Sequence, residues 1–259
     1  MTEKPVKSKK KIKRHGLSVL FVHWTAAIST FVLIFSGLGQ LPFYKRYMLD
    51  HLPGLSWVSN FSVTLSIHYW AAAVLIFAIV YHIVFHGIRR DFDMLPRKGD
   101  MKQSVQIIMA VLGYGKEPEN DKYLAEQRLA YAFIGFSLLI LVLTGIVKVL
   151  KNLPYINFSE SFIFWITQLH NLGTFLIIIG IIAHLGAFVF KENWPLLPGI
   201  FTGKIDKEYA RHRHSIWYDR MAEKVHGDTD QTGPQRTWVD QGILPEIDRA
   251  VEQGDKDVM

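Results

Sequence analysis

The sequence predicts an all-α integral membrane protein, a four-helix bundle with both termini in the cytoplasm. Three observations lead to this fold class. The 259 residues are 49% hydrophobic, and the apolar residues fall into four blocks that are each long enough to cross a bilayer. Lys and Arg are concentrated in alternate polar segments. No polar segment is long enough to form a separate soluble domain with its own core.

The four predicted spans are joined by two short connections and one longer one. The first span is not expected to be a cleavable signal peptide, because its apolar run is long and no small-residue cleavage motif follows it. In the longer connection, residues 101–113 are apolar but too short to span, and they predict a helix on the cytoplasmic interface. The predicted spans are about 17–38, 63–87, 129–150 and 163–190. They form a four-span domain over residues 17–203. Basic segments, 1–16 and 204–227, flank this domain, and a flexible acidic tail, 228–259, follows.

The distribution of positive charge predicts the orientation in the membrane. Of the 29 Lys and Arg residues, 25 lie before the first span, between the second and third spans, or after the fourth. The other two connections carry only Lys45, Arg46, Lys148 and Lys151. By the positive-inside rule, both termini and the 88–128 loop are cytoplasmic. We expect the N-terminus to be a juxtamembrane anchor, not a nucleic-acid site. We expect segment 204–224, with Arg211, His212, Arg213 and His214, to contact anionic lipid or a partner's membrane anchor, lipid being the simpler assumption.

The sequence contains no cysteine. This excludes disulfides, thiolate-held iron–sulfur clusters, zinc thiolates and covalently attached c-type haem. If the protein transfers electrons, its cofactors are held by nitrogen ligands and its electron donor is another chain.

Histidines inside the predicted spans indicate haem. His170 and His184 are fourteen residues apart in one span, which places them about 21 Å apart along the axis and within about 40° of the same face. Ionisable residues at such depths are usually functional. The orientation places His68 with His170 near the outer surface and His23 with His184 near the cytoplasmic surface. Because a bis-imidazole haem needs two histidines from different helices at one depth, the sequence predicts two b-type haems.

His82 is an alternative ligand on the cytoplasmic side. It follows His68 by fourteen residues, so the second span repeats the spacing of the fourth. The inner haem could then be held by His82 and His184, with His23 left over. A lone histidine in a membrane helix can also serve only to bond a neighbouring helix.

Several local patterns over residues 13–219 follow a common order and spacing. They are Lys13-Arg14, His23-Trp24, Ser36-Gly37, His68, Lys122-Tyr123, Gln127-Arg128, Thr144-Gly145, the histidine pair 170/184, and the run Tyr209 to His214 followed by Trp217-Tyr218. In these patterns the chain resembles the cytochrome b (gamma) subunit of membrane-bound formate dehydrogenase, whose relatives serve hydrogenases and thiosulfate reductases.

The resemblance implies a non-catalytic electron-transfer subunit of the bacterial inner membrane. The family's haem ligands fall on His23, His68, His170 and His184. Electrons would enter from an iron–sulfur subunit, in a complex with a molybdenum or tungsten catalytic subunit, and leave to menaquinone or ubiquinone. The whole complex could form an oligomer. His82 is not a position that the family uses, and Leu124 and Glu126 depart from its pattern near the quinone.

Four residues before the third span are candidates for the quinone site: Tyr123, Glu126, Gln127 and Arg128. Gln127 or Tyr123 could hydrogen-bond a quinone oxygen, and Glu126 could pass a proton from water. Alternatively, this segment is a hydrated helix start in which Glu126 only favours the helix dipole.

Other classes of protein fit the sequence less well. A transporter with histidines that relay protons or bind a metal would be expected to show an inverted repeat or broken helices, and the chain shows neither. A membrane anchor without cofactor would make four depth-matched histidines accidental. If the chain is an electron-transfer subunit, its complex could alternatively be a hydrogenase or a thiosulfate or polysulfide reductase.

Overall fold

A computed structural model of the chain describes residues 10–229. The described part is almost entirely helical, with one pair of short strands, β1 (Lys11–Lys13) and β2 (Lys204–Asp206). Short 3-10 helices cover Leu49–His51, Ser56–Ser59, Ala187–Val189 and Lys191–Leu196. The α-helices in chain order are α1 (Leu17–Gly39), α2 (Phe43–Arg46), α3 (Phe61–Arg89), α4 (Asp100–Val111), α5 (Ala125–Leu150), α6 (Glu160–Gly186), α7 (Gly199–Thr202), α8 (Lys207–Arg213) and α9 (Ser215–Thr229).

Helices α1, α3, α5 and α6 are the four predicted spans. Each is long and apolar enough to cross a membrane; for α6 the span includes the 3-10 turn that follows it and ends at Val189. Their bounds lie within four residues of the predicted ones. An α-helix satisfies its backbone groups internally, as a membrane requires, and large apolar side chains such as Phe31, Phe77, Leu139 and Phe175 are exposed on the helix surfaces. The predicted fold class, an all-α membrane bundle, is confirmed.

Helix α3 begins and ends at recognisable caps. The Asn60 side chain accepts a hydrogen bond from the Val63 amide at 3.2 Å and so caps the start of α3. Helix α3 ends where Arg90 takes a left-handed conformation, φ 51°, and the Asp91 amide donates to the His86 carbonyl. These polar caps mark where the apolar block stops.

The chain forms two compact units. The first, called here the membrane unit, comprises Ser18–Phe92 and Ala132–Ala183. In this unit Gly173 on α6 lets α5 approach closely, because a Cβ there would lie 3.1 Å from Leu141 Cγ. Such small residues at helix contacts are usual in membrane bundles, where close packing holds helices together.

The described part of the second unit, called here the polar unit, comprises residues 10–17, 93–131 and 184–229. Strands β1 and β2 pair antiparallel in it, with Ile12 opposite Ile205. A small core surrounds this pair: Ile12, Leu196, Ile205, Ala210 and Trp217. Helix α4 occupies the position of the predicted interfacial helix 101–113.

The structure corrects one expectation about the basic segment 204–224. Arg213 is 6% exposed and His214 is fully buried, whereas Arg211 and His212 are exposed. Arg213 donates to Glu117 and to the Glu192 carbonyl, so its charge is used inside the unit and not at a lipid surface. The prediction of lipid contact is therefore wrong for Arg213 and His214. The first nine residues of the basic N-terminus and residues 230–259 of the acidic tail lie outside the described residues.

Candidate functional site

In the membrane unit, the imidazole rings of His68 on α3 and His170 on α6 lie close together. Their ring centres are 6.5 Å apart, with 58° between the ring planes. A metal–imidazole nitrogen bond is about 2 Å long, so two imidazoles on opposite sides of one metal have ring centres about 6 Å apart. The observed separation therefore suits a single iron between the two rings.

Two hydroxyl groups fix the tautomers of these histidines. The Ser36 hydroxyl donates to the Val32 carbonyl at 2.7 Å, and its oxygen lies 3.0 Å from His68 Nδ1. The Thr144 hydroxyl donates to the Ile140 carbonyl at 2.6 Å, and its oxygen lies 2.8 Å from His170 Nδ1. Because each hydroxyl proton is already used, each oxygen accepts from Nδ1–H. This leaves the Nε2 lone pair of both rings available to a metal.

A glycine next to each hydroxyl makes room for the imidazole. A Cβ at Gly37 would lie 3.4 Å from His68 Cε1, and one at Gly145 would lie 3.7 Å from His170 Cε1. Both are ordinary van der Waals distances, so alanine would fit at either position, and each glycine leaves that space beside the ring open. Sequence reasoning used Ser36-Gly37 and Thr144-Gly145 only as parts of a resemblance and missed this role. The signal was present, since a hydroxyl–glycine pair occurs late in the first and again in the third span.

The remaining predicted ligands are distributed between the two units. His23 lies in α1 in the membrane unit, in an edge-to-face contact with Trp24 at 5.5 Å between ring centres. His184 lies in the last turn of α6 and belongs to the polar unit. The alternative ligand His82 is next to His86 on α3, 4.5 Å between ring centres. The pairing of His184 with either His23 or His82 stays a prediction.

In the polar unit, Gln127 has a fixed amide orientation. Its Oε1 accepts from the Leu124 amide at 3.3 Å, which closes the first turn of α5, and from Arg14 Nη2, also at 3.3 Å. With the oxygen on that side, the amide nitrogen points the other way. Among the hydrogen bonds of residues 10–229, none uses this nitrogen as a donor, so two N–H groups are available to a carbonyl oxygen.

Arg128, one of the predicted quinone contacts, forms a buried ion pair with Asp100. Its Nε and Nη2 donate to the two Asp100 carboxylate oxygens at 2.8 and 2.5 Å, and its Nη1 donates to the Tyr123 carbonyl at 2.5 Å. Arg128 is 4% and Asp100 3% exposed. The hydrogen bonds from Arg128 hold the pKa of Asp100 below its usual value. This bidentate ion pair ties α4 to the start of α5.

Several buried polar atoms near the start of α5 lack a hydrogen-bond partner within the described part of the chain. They are Arg14 Nε, Glu126 Oε2 and His214 Nε2. The charge of Arg213 acts on all three side chains. Buried polar atoms without partners are rare in native proteins and indicate that a ligand or ordered water completes the site.

His214 contributes a neutral imidazole to this cluster. Its Nδ1–H donates to the Asp121 carbonyl at 2.8 Å, and burial lowers the pKa of His214 to about 3. Nε2 therefore carries a lone pair at neutral pH. Tyr123, 7% exposed, stacks on His15 with ring centres 5.9 Å apart and lies under the Arg14 guanidinium. Sequence reasoning assigned no site role to Arg14 or His214, because their partners are about a hundred residues away in the chain.

Four apolar spans with two facing imidazoles in the bundle define a membrane cytochrome b. Residues 14–203 match the family described as prokaryotic cytochrome b561, and the chain belongs to this family. It is therefore a haem b-binding membrane protein with a role in electron transfer.

The chain is also similar to the formate dehydrogenase cytochrome b556 subunit of Haemophilus influenzae. The two are 22% identical over 242 residues, which cover 90% of this chain and 94% of that protein. The family resemblance predicted from the sequence motifs is thereby confirmed.

Proposed function

We propose that the chain is the dihaem, quinone-reactive membrane subunit of a formate dehydrogenase-type complex in the bacterial inner membrane, with both termini cytoplasmic. The observation that carries the proposal is the His68–His170 pair, whose Nε2 atoms are left for one iron. The similarity to a formate dehydrogenase cytochrome subunit supports the choice of complex. Its partners are an iron–sulfur subunit and a molybdenum or tungsten catalytic subunit.

The outer haem is held by His68 and His170. Haem supplies one-electron transfer at this site, and the protein supplies ligation, burial and hydrogen bonding. Ser36 and Thr144 orient the two rings and raise the basicity of Nε2 by accepting from Nδ1–H.

The inner haem is held by His23 and His184, with His82 as the alternative to His23. Support comes from the depth argument on the sequence and from the family's ligand positions. Two haems at two depths connect the two membrane surfaces, so that electrons cross the bilayer within one chain.

The quinone, menaquinone or ubiquinone, binds at the start of α5. The Gln127 amide donates to a quinone oxygen, which the fixed position of Oε1 supports. Glu126, with a buried oxygen and no partner among residues 10–229, passes a proton from water to the reduced ring. Tyr123 lines the site, and Arg128 positions it by holding Asp100.

The test is purification of the complex through a tag on this chain. We expect an iron–sulfur subunit and a molybdenum or tungsten subunit to copurify, formate to reduce the haem absorbance, and added menaquinone or ubiquinone analogue to reoxidise it. Reduction by hydrogen or reoxidation by thiosulfate, without any response to formate, would assign the chain to one of the alternative complexes. Haem that neither donor nor quinone affects would contradict the proposal.

A further inference from the structure

Lys148 lies on a face of α5 that faces the histidine pair. Thr144 and Lys148 are four residues apart and share one side of α5, and Asn152 follows four residues later, just beyond the end of the helix. Thr144 bonds His170 at one end of this stripe. At the other end, Asn152 Nδ2 donates to the Tyr69 hydroxyl at 3.3 Å, and Tyr69 is the neighbour of His68.

Along the chain, Lys148 therefore lies between the contact to α6, made by Thr144, and the contact to α3, made by Asn152. A long helical side chain leans toward the N-terminal turn, which here is the turn that carries Thr144. The positive charge of Lys148 acts on both His68 and His170. Lys148 is half-buried, and the other charge that acts on it is the like charge of Lys151.

No carboxylate of the described chain forms an ion pair with Lys148. A partly buried ammonium is costly unless an anion or water neutralises its charge. Since no acidic side chain of residues 10–229 pairs with Lys148, a bound group with a negative charge would neutralise it.

We propose that Lys148 binds a propionate of the haem held by His68 and His170. This inference rests on the proposed function. Haem b carries two propionate carboxylates on one edge, and a charge-assisted hydrogen bond from an ammonium is the interaction that suits them. The contact fixes which way the haem edge points and offsets the negative charge near the iron, which stabilises the ferrous form.

The alternative role for Lys148 is contact with lipid phosphate at the membrane surface, as lysines near helix ends often make. The two roles differ in a measurable way. A lysine paired with a lipid phosphate away from the haem changes the haem potential little when it is removed, whereas removal of a lysine paired with the propionate changes it strongly.

The test is an optical redox titration of the full chain in membranes, with the outer haem identified as the component lost in His170→Ala. In Lys148→Met we expect the equilibrium between ferric and ferrous outer haem to shift toward the ferric form on the order of tenfold. This is the effect of removing one positive charge near the haem at an effective dielectric constant of about 20. A tenfold shift is 59 mV for one electron. Lys148→Arg should restore the potential, and the inner haem should not change.

Lys151→Met is the matched control, since it removes an exposed lysine three residues further on. An unchanged outer-haem potential in Lys148→Met, or an equal shift in Lys151→Met, overturns the proposal while the dihaem function stands. If Lys148→Met does not accumulate, Lys148→Gln takes its place with the same expected shift. A wild-type chain without an outer haem overturns both this proposal and the function on which it rests.

Discussion

Replacing Thr144 by valine tests whether the hydroxyl groups orient the haem ligands. Valine keeps the shape of threonine but removes the oxygen that lies 2.8 Å from His170 Nδ1. Thr144 is 3% exposed, so water has no access to replace the lost acceptor. The Nδ1–H of His170 is then left without a partner inside the bundle, and the ring is free to rotate or to change tautomer.

The expected loss can be worked out in two ways. A buried donor left without its acceptor costs about 1–3 kcal/mol. Loss of the outer hydrogen-bond partner of a metal-ligating histidine typically lowers metal affinity about 10–100-fold, which is about 1.4–2.8 kcal/mol. The two figures agree, so we expect haem affinity at this site to fall by one to two orders of magnitude.

The assay is haem release from the purified full chain to an excess of a haem-scavenging apoprotein, followed by absorbance. The Thr144→Val chain should lose one of its haems much faster than the wild type, and Thr144→Ser should restore retention. Thr64→Val is the matched control, because Thr64 is fully buried and donates to the Asn60 carbonyl but forms no hydrogen bond with a histidine. Equal haem retention in Thr144→Val and wild type, or equal loss in Thr64→Val, would refute the reasoning.

Three further predictions follow from the two sites. Asp100→Asn breaks the buried pair with Arg128 and should cost about 3–5 kcal/mol of unfolding free energy, measured by thermal denaturation. The pKa of Asp100 in the folded protein lies below its ordinary value of 3.8. The ion pair therefore stabilises the wild type fully above pH 3.8, and this stabilisation is lost as the pH falls through the folded-state pKa. Asp100→Asn should not show this loss of stability in acid. Gln127→Leu should slow quinone reduction about tenfold to a hundredfold with haem content unchanged, and an unaltered rate would remove Gln127 from the quinone site. The His23→Ala variant should lose one haem and the His82→Ala variant should lose none. Loss of a haem in His82→Ala but not in His23→Ala would make His82 the ligand of the inner haem.

The spans were predictable because composition alone determines them. A stretch such as 129–150 has no other stable state than a membrane helix, so its bounds in α5 differ from the prediction only where polar residues form the first turn. The proximity of His68 and His170 followed from depth, since helix rise and orientation fix how far each residue lies from a membrane surface.

The polar contacts were not predictable in the same way. Arg128 was predicted as a quinone contact by position, and two of its nitrogens donate to Asp100, 28 residues earlier; no local pattern reveals that pairing. Arg213 and His214 belong to a basic run that suggests a lipid surface, yet tertiary packing buries both. Ser36 and Thr144 look like ordinary small residues of membrane helices until the histidines opposite them are placed.

The measurement that tests the central claim most directly is a pyridine-haemochrome assay on the purified chain and on its His170→Ala variant. The account predicts two b-type haems per wild-type chain and one in the variant, with the outer component absent from the spectrum. A wild-type value near zero with ample haem supply, or two haems retained in His170→Ala, would contradict it.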